Sequence, residues 1–267
     1  MNKSVKRAAK GFIVLAPLTY FFPEVMLFYF VCGIYDVARN KDLSLSTIER
    51  YFLGNGIFTW LLSPLNIVLD ILSLPYINKG VYKLEDLPAP YQTEIKNLIT
   101  ATHQQNLVAK LQAAAEDEKR SMFFFKWYSA NVDTIVDIPA FHEKYKYITT
   151  IGVSVFNKRQ STSKHFGPLR ASLRVLYNIN DMDDDSAYIE VGDVKSYWRK
   201  DKLFIFDDTL QHQSFNESDK ARYCLFVDIV RPSLLPVVLS GFLDVVRYIF
   251  AAGANSMFYN NWKVIRK

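Results

Sequence analysis

From residue 121 to residue 232 the apolar residues come in short β-branched and aromatic runs, each closed by a turn, and few folds accept that pattern. The runs are Met122–Phe125, Tyr147–Val155, Leu173–Ile179, Tyr188–Val191, Leu203–Phe206 and Tyr223–Val230. Turn residues separate them at Asn180 to Asp185, Arg199 to Asp201 and Asn216 to Asp219. Strands this short and this frequent predict a β-sandwich, jelly roll or barrel. Ahead of them, Tyr91 to about Lys119 carries Ile95, Leu98, Ile99, Leu107, Val108 and Leu111 near helical spacing and is predicted as one helix.

The first third of the chain is different. Residues 1–10 carry Lys3, Lys6, Arg7 and Lys10 and no acid. Phe12–Ile34 and Phe52–Pro75 are long apolar runs joined by a loop with Asp36, Arg39, Lys41, Asp42, Glu49 and Arg50. Each run matches the roughly 20 residues that a helix needs to cross a bilayer. Pro17, Pro23 and Glu24 interrupt the first; Gly54, Gly56, Pro64, Asn66 and Asp70 interrupt the second. A membrane hairpin is therefore expected, either spanning, re-entrant or lying in the interface. The basic start favours the cytoplasmic side for the chain ends, and no cleavage site of a signal peptide is evident. Asn78 to Pro90 forms a turn and a stiff linker, which divides the chain into a membrane-associated region (1–88), a β domain with its leading helix (89–232) and a C-terminal apolar helix with tail (233–267). That last helix, Leu234–Ala254, either joins the membrane or packs on the barrel.

Lys plus Arg is 32 against 27 for Asp plus Glu, a net charge of +5. Such a balance suits nucleic acid or an anionic membrane surface. With 50% apolar and 15% aromatic residues the membrane is the better partner, and nucleic acid is not expected. Two cysteines, Cys32 and Cys224, exclude a disulfide scaffold or a cysteine-rich zinc module. Any histidine-metal site must come from His103, His142, His165 and His212.

His165 lies between two strand-like segments and His212 just past another, so both can reach one mouth of a jelly roll. Two neutral imidazoles there suit a divalent first-row metal, although a histidine in a turn is commonly structural. Arg174 and Arg222 sit inside apolar strands. Each is either outward-facing or turned inward toward a carboxylate.

His165-Phe-Gly-Pro, Leu173-Arg174, Phe206-Asp-Asp with His212, and Arg222 followed by Phe226-Val-Asp-Ile-Val-Arg-Pro232 together resemble the aspartyl/asparaginyl β-hydroxylase family. The resemblance covers roughly residues 120–232. It implies an iron(II)/2-oxoglutarate dioxygenase with a double-stranded β-helix (jelly-roll) core, here preceded by the helical hairpin and flanked by helices. It implies iron at His165 and His212, the distal carboxylate of 2-oxoglutarate on Arg222, further co-substrate contacts from Ser154 and Arg174, and O2 as oxidant. One departure from the wider oxygenase pattern is Gly167, where a carboxylate ligand is usual; in the aspartyl/asparaginyl hydroxylase branch a glycine with water as ligand looks similar, whereas the lipid-hydroxylating branch often keeps an Asp. Asp207 and Asp208 either support the metal site or simply end a strand.

Residues 20–90 resemble the membrane-anchored branch of that family, which hydroxylates acyl chains, notably the secondary acyl chain of lipid A in lipopolysaccharide, or ornithine lipids. That resemblance implies a lipid hydroxylase on the bacterial inner membrane with its site facing the cytoplasm. The alternatives are a peptidyl aspartyl/asparaginyl β-hydroxylase and, given Gly167, a non-catalytic membrane scaffold. Trp127 and Trp198 either pack in the core or line a greasy cleft.

Overall fold

The computed structural model describes residues 13, 15–104, 106–115, 118–250 and 262–265. Its centre is a pair of antiparallel sheets. The eight strands β4 (Ile148–Phe156), β5 (Gln160–Ser161), β6 (Ser172–Asn178), β7 (Ala187–Val191), β8 (Val194–Tyr197), β9 (Leu203–Phe206), β10 (His212–Asn216) and β11 (Arg222–Val230) are shared between them. One sheet runs β9-β6-β11-β4 and the other β8-β7-β10-β5. Strands that alternate between two sheets in this order make a jelly roll. The larger sheet is extended by β1 (Val81–Tyr82) beyond β9, and by β2 (Arg120–Trp127) beyond β4. Strand β3 (Ala130–Asn131) pairs with β2, and β12 (Lys263–Ile265) lies parallel to β2.

Side-chain alternation explains the layers. On β4, β6, β9 and β11 the residues of one parity, including Leu176, Phe204, Phe206, Cys224 and Phe226, meet Ala187, Ile189 and Val191 of the second sheet. Those of the other parity, including Ile151, Val153, Val175, Leu225 and Val227, are covered by Tyr91, Ile95, Leu98, Leu107 and Leu111. These five belong to α5 (Ala89–Gln104) and α6 (Leu107–Ala115). Strand β4 is buried along its whole length, which is why it carries no charged residue and only Thr149, Thr150 and Ser154 as polar ones. The single helix expected over Tyr91 to Lys119 is two helices, because Asn106 takes a left-handed conformation (φ 46°) between them.

The expected strands are present, five of them within one residue at either end. Strands β8 and β10 had not been expected.

The apolar N-terminal runs form short helices. Residues 15–21 are helical, followed by α1 (Pro23–Ala38), α2 (Leu45–Leu53), α3 (Ile57–Leu61) and α4 (Ser63–Leu72). Among the described residues no helix is long and apolar enough to cross a membrane. At 1.5 Å per residue α1 is about 24 Å long, short of the roughly 30 Å hydrocarbon core. The spanning form of the hairpin is therefore not seen. Pro23 starts α1 afresh, while Gly54 to Gly56 and Pro64 break the second run. Phe21, Phe22, Leu27, Phe28, Val31 and Ile34 nevertheless stay exposed, as do Phe58, Leu61, Val68 and Ile71. The C-terminal helix α8 (Pro236–Phe250) packs against the β domain through Leu239 and Leu243, which meet Leu69, Ala171 and Val230, while Val237, Val238, Val245 and Tyr248 face outward. Lys3, Lys6, Arg7 and Lys10 lie outside the described residues.

Candidate active site

His212 is the first residue of β10 and is buried; His165 follows β5 and is half-buried. The two form an isolated antiparallel bridge, with His165 N–H donating to His212 O at 3.0 Å and His212 N–H to His165 O at 2.8 Å. Their ring centroids are 4.1 Å apart. Nδ1 of His165 lies 2.7 Å from Ser163 O and Nδ1 of His212 lies 2.8 Å from Leu210 O. A carbonyl only accepts, so both Nδ1 atoms carry the proton and both Nε2 lone pairs are left for a ligand. Burial lowers the pKa of both rings, and for His212 the neighbouring His165 lowers it further. Both stay neutral, the form that binds metal. The donor set therefore fits a divalent transition metal.

No third protein ligand joins them: no cluster of three His, Cys, Asp or Glu side chains suited to a metal occurs among the described residues. The reason lies at Gly167. A Cβ there would fall 2.4 Å from Cγ of Asp208, so the space of a side chain at 167 is already taken by the Asp208 carboxylate. Gly167 N–H also donates to Asp208 O at 2.6 Å, locking the two backbones together. Burial, with the charges of Asp228 and Asp207, pushes the Asp208 carboxyl up to about 7 against the opposing pull of Arg174. Overpacking of this kind costs about 1–3 kcal/mol. Gly167→Ala should therefore lower thermal stability and metal affinity. Asp208→Ala in the same chain should restore the stability, and a purely additive double mutant would show that the two residues do not share this space.

Arg222, Ser154 and Arg174 all face the interior between the sheets. Ser154 Oγ is 3.3 Å from Cys224 O. Arg222 is fully buried, with Phe156 and Trp198 rings at 4.3 and 5.2 Å from its guanidinium carbon. Its Nη2 donates to Ser214 Oγ at 2.9 Å, while Nε and Nη1 have no hydrogen-bond partner among the described residues. Burial lowers its pKa. A buried cation with orphaned donors is costly unless an anion joins it. Ser214 is two residues after His212 on the same face of β10, about 7 Å along the strand. A short dicarboxylic acid held at the two histidines could thus reach the guanidinium, so the residues fit 2-oxoglutarate. Arg174 differs from Arg222: it pairs with Asp208 (3.1 Å) and Asp228 (3.0 Å) and covers the Phe226 ring. Asp228 was not singled out in the sequence, although its six-residue spacing from Arg222 places it on the same face of β11.

The helical layer directly grips the segment around His165. Asn55 Nδ2 donates to Lys164 O, Thr59 Oγ1 to Gly167 O and Asn66 Nδ2 to Pro168 O, while Arg170 N–H donates to Asn66 Oδ1. Beneath them is a buried ionic network. Arg170 contacts Asp36, Asp70 (2.6 Å) and Asp207 (3.4 Å); Arg39 contacts Asp207 (2.7 Å); Arg231 contacts Asp70 (2.5 Å). Burial would raise the Asp207 carboxyl, but Arg39 and Arg170 outweigh it and hold it well below the usual carboxylate range. Asp207 thus ties the helical layer to the jelly roll, while Asp208 lies against Gly167 and Arg174. None of Asn55, Thr59, Asn66 or Arg170 was marked as functional in the sequence; the only signal was a polar residue within an apolar run. Trp198 is core, stacked near Arg222, and Trp127 packs edge-on against Phe124.

Fold and site together define a jelly-roll protein with a two-histidine centre beside a buried arginine. The chain belongs to the aspartyl/asparaginyl β-hydroxylase family, whose model matches residues 92–232, and so to a family of hydroxylases. An ornithine lipid ester-linked acyl 2-hydroxylase of Rhizobium tropici is 28% identical over 137 residues, which is 49% of this chain and 49% of that protein. The match thus spans about half the length of that relative. Among solved structures, a 2OG-Fe(II) oxygenase family oxidoreductase from Burkholderia pseudomallei is 12% identical, covering 50% of this chain and 82% of its own, with a TM-score of 0.33. An oxalate oxidase in complex with glycolate is 10% identical, covering 52% and 76%, with a TM-score of 0.31. Likenesses this distant carry no argument, and the jelly-roll assignment rests on strand order alone.

Proposed function

We propose that this chain is an iron(II)- and 2-oxoglutarate-dependent dioxygenase that hydroxylates a lipid acyl chain, with the secondary acyl chain of lipid A as the foremost candidate. The observation that carries the reading is the pair of neutral histidines with free Nε2 atoms, one pleat from a buried arginine whose Nε and Nη1 lack partners. Iron(II) with 2-oxoglutarate and O2 supplies oxidative chemistry in which a C–H becomes C–OH and the co-substrate leaves as succinate and CO2. The protein does the rest. His165 and His212 hold the metal, and the Asp208 carboxyl fills the space beside Gly167. Arg222 takes the distal carboxylate with Ser154 beside it. Arg174, carried on Asp208 and Asp228, borders the same chamber and contacts the co-substrate's other end. Phe204, Phe206 and Phe226 keep the interior dry.

A lipid substrate is supported by the apolar side chains left exposed on the N-terminal helices and on α8, more than a protein in water leaves open without a partner. Short helices with such faces suit a position in the membrane interface. The relative from Rhizobium tropici acts, by its name, on an acyl chain. In this reading residues 1–88 attach the hydroxylase domain (89–232) to the bacterial inner membrane, helped by 233–267, with the site facing the cytoplasm where 2-oxoglutarate is found.

The test is mass spectrometry of lipid A and total polar lipids from cells with and without this chain, with His212→Ala as control. A lipid gaining one oxygen only when the chain and His212 are both present is the expected result. Unchanged lipids with 2-oxoglutarate still converted to succinate would transfer the activity to a peptide. No lipid change and no turnover would leave a scaffold.

A further inference from the structure

A second cavity lies outside the jelly-roll interior, where β1 and the end of α4 meet the exit of β11. It encloses ≈ 310 Å3 and its walls include Tyr76, Ile77 and Pro232. That volume is at the small end of the range for ligand pockets. Its polar groups are Arg231, Lys79, Tyr82 and Asp86. Arg231 is 1% exposed and uses Nη1 on Asp70. Its Nε and Nη2 have no hydrogen-bond partner among the described residues. Buried guanidinium donors are nearly always satisfied, so two orphans on a residue that lines a cavity point to an acceptor entering from it. Lys79 stands at the rim, more than half exposed, with Nζ 2.6 Å from Asp86 Oδ1.

The surroundings say what kind of molecule brings that acceptor. The segments on either side are apolar and exposed: Leu74 and Ile77 on one, Leu234, Leu235 and Val237 on the other. Ile77 is 74% and Val237 76% exposed. A cationic floor between two greasy lips matches an anionic headgroup at a bilayer surface, where phosphate oxygens sit just above the acyl chains.

We propose that this cavity binds an anionic oxygen group, phosphate or carboxylate, through Arg231 Nε and Nη2 with Lys79 at the rim, and that an anionic lipid headgroup supplies it. The choice of a lipid as source rests on the function proposed above; the anion site itself does not. The pocket would hold a headgroup, seating the protein on the membrane, while the jelly-roll interior receives the chain to be oxidised. Asp86 competes for Lys79, so binding is modest and depends on the two orphaned donors.

The experiment uses the full chain, with Arg231→Lys, which keeps a charge for Asp70 but loses the guanidinium fork, and Lys79→Ala, which changes only an exposed side chain. Inorganic phosphate binding is measured by calorimetry. Vesicle binding is measured by co-sedimentation with phosphatidylcholine alone and mixed with phosphatidylglycerol. Cobalt(II) absorption reports the two-histidine site separately. The expected result is that phosphate and the anionic vesicles bind, that both variants weaken each by on the order of tenfold, and that cobalt(II) binding is unchanged. Variants that bind phosphate and anionic vesicles like the parent overturn the proposal, as does a parent that binds neither. Phosphate binding lost in the variants with vesicle binding intact overturns the lipid source and assigns the pocket to a free anion. Failure of cobalt(II) to bind the parent counts against the hydroxylase reading alone.

Discussion

Arg170→Ala is expected to cost about 3–5 kcal/mol of stability, the penalty for removing one member of a buried ionic network. Arg170 is fully buried and touches three carboxylates, Asp36, Asp70 and Asp207, which belong to α1, α4 and the β9–β10 turn. Its loss leaves Arg39 and Arg231 to balance all three. Burial lowers its pKa to about 10 even with Asp207 beside it, a sign of how dry the site is. The loss should extend to the metal site, because Arg170 also ends the segment that starts at His165 and anchors it to Asn66. In a chain of this size the melting temperature should fall by roughly 10 °C or more. Arg170→Lys should recover little, because an ammonium's three donors share one nitrogen and cannot span the carboxylates that Nη2, Nη1 and Nε of Arg170 reach separately. Thermal unfolding of both variants is the measurement. A fall below about 1 kcal/mol would mean that the network is not what binds the helical layer to the jelly roll.

Arg222→Met is expected to separate stability from function. In the ligand-free protein its guanidinium is a buried cation with two unpartnered nitrogens, so an apolar replacement of similar length should cost little and is able to stabilise. Binding of 2-oxoglutarate should instead lose about 2–5 kcal/mol, roughly 30-fold to a few thousand-fold, because the distal carboxylate would be buried without its partner. Succinate, which carries the same carboxylate end, should lose affinity in parallel. Calorimetric titration of both acids, alongside thermal melts, tests this. Equal loss of stability and affinity would reduce Arg222 to a structural residue.

The legibility of the fold followed burial. Strands β4 and β11 are buried on nearly every residue, and their β-branched and aromatic runs stand out from the chain. Strand β10 was missed because its inward residues are polar, so no apolar alternation marks it: His212 stands against His165, Ser214 accepts from Arg222, and Asn216 Nδ2 donates to the carbonyls of Phe156, Asn157 and Lys220. The sequence presents Asp70 as an interruption of the second apolar run and Asp36 as part of the charged loop between the runs. Asp36 and Asp70 are instead ion-paired to the β domain, and Asp36 also accepts from Tyr51 Oη at 2.8 Å. The two histidines and Arg222 were found through their setting in the family pattern, and the structure turns all three inward.

Local pattern was enough to determine the β-rich core, the helices over its outer face, the greasy first third and the residue types available for metal and carboxylate. Each of these depends on neighbours within a few positions, which periodicity records. Tertiary contact alone decided the rest. Asp207 and Asp208 are adjacent, yet one is clamped by Arg39, 168 residues away, and the other fills the space left by Gly167. Two nitrogens each of Arg231 and Arg222 lack a partner among the described residues because the segments around them pack without bringing an acceptor. Which charge is paired and which is left waiting depends on what lies across the fold, and no local pattern carries that information.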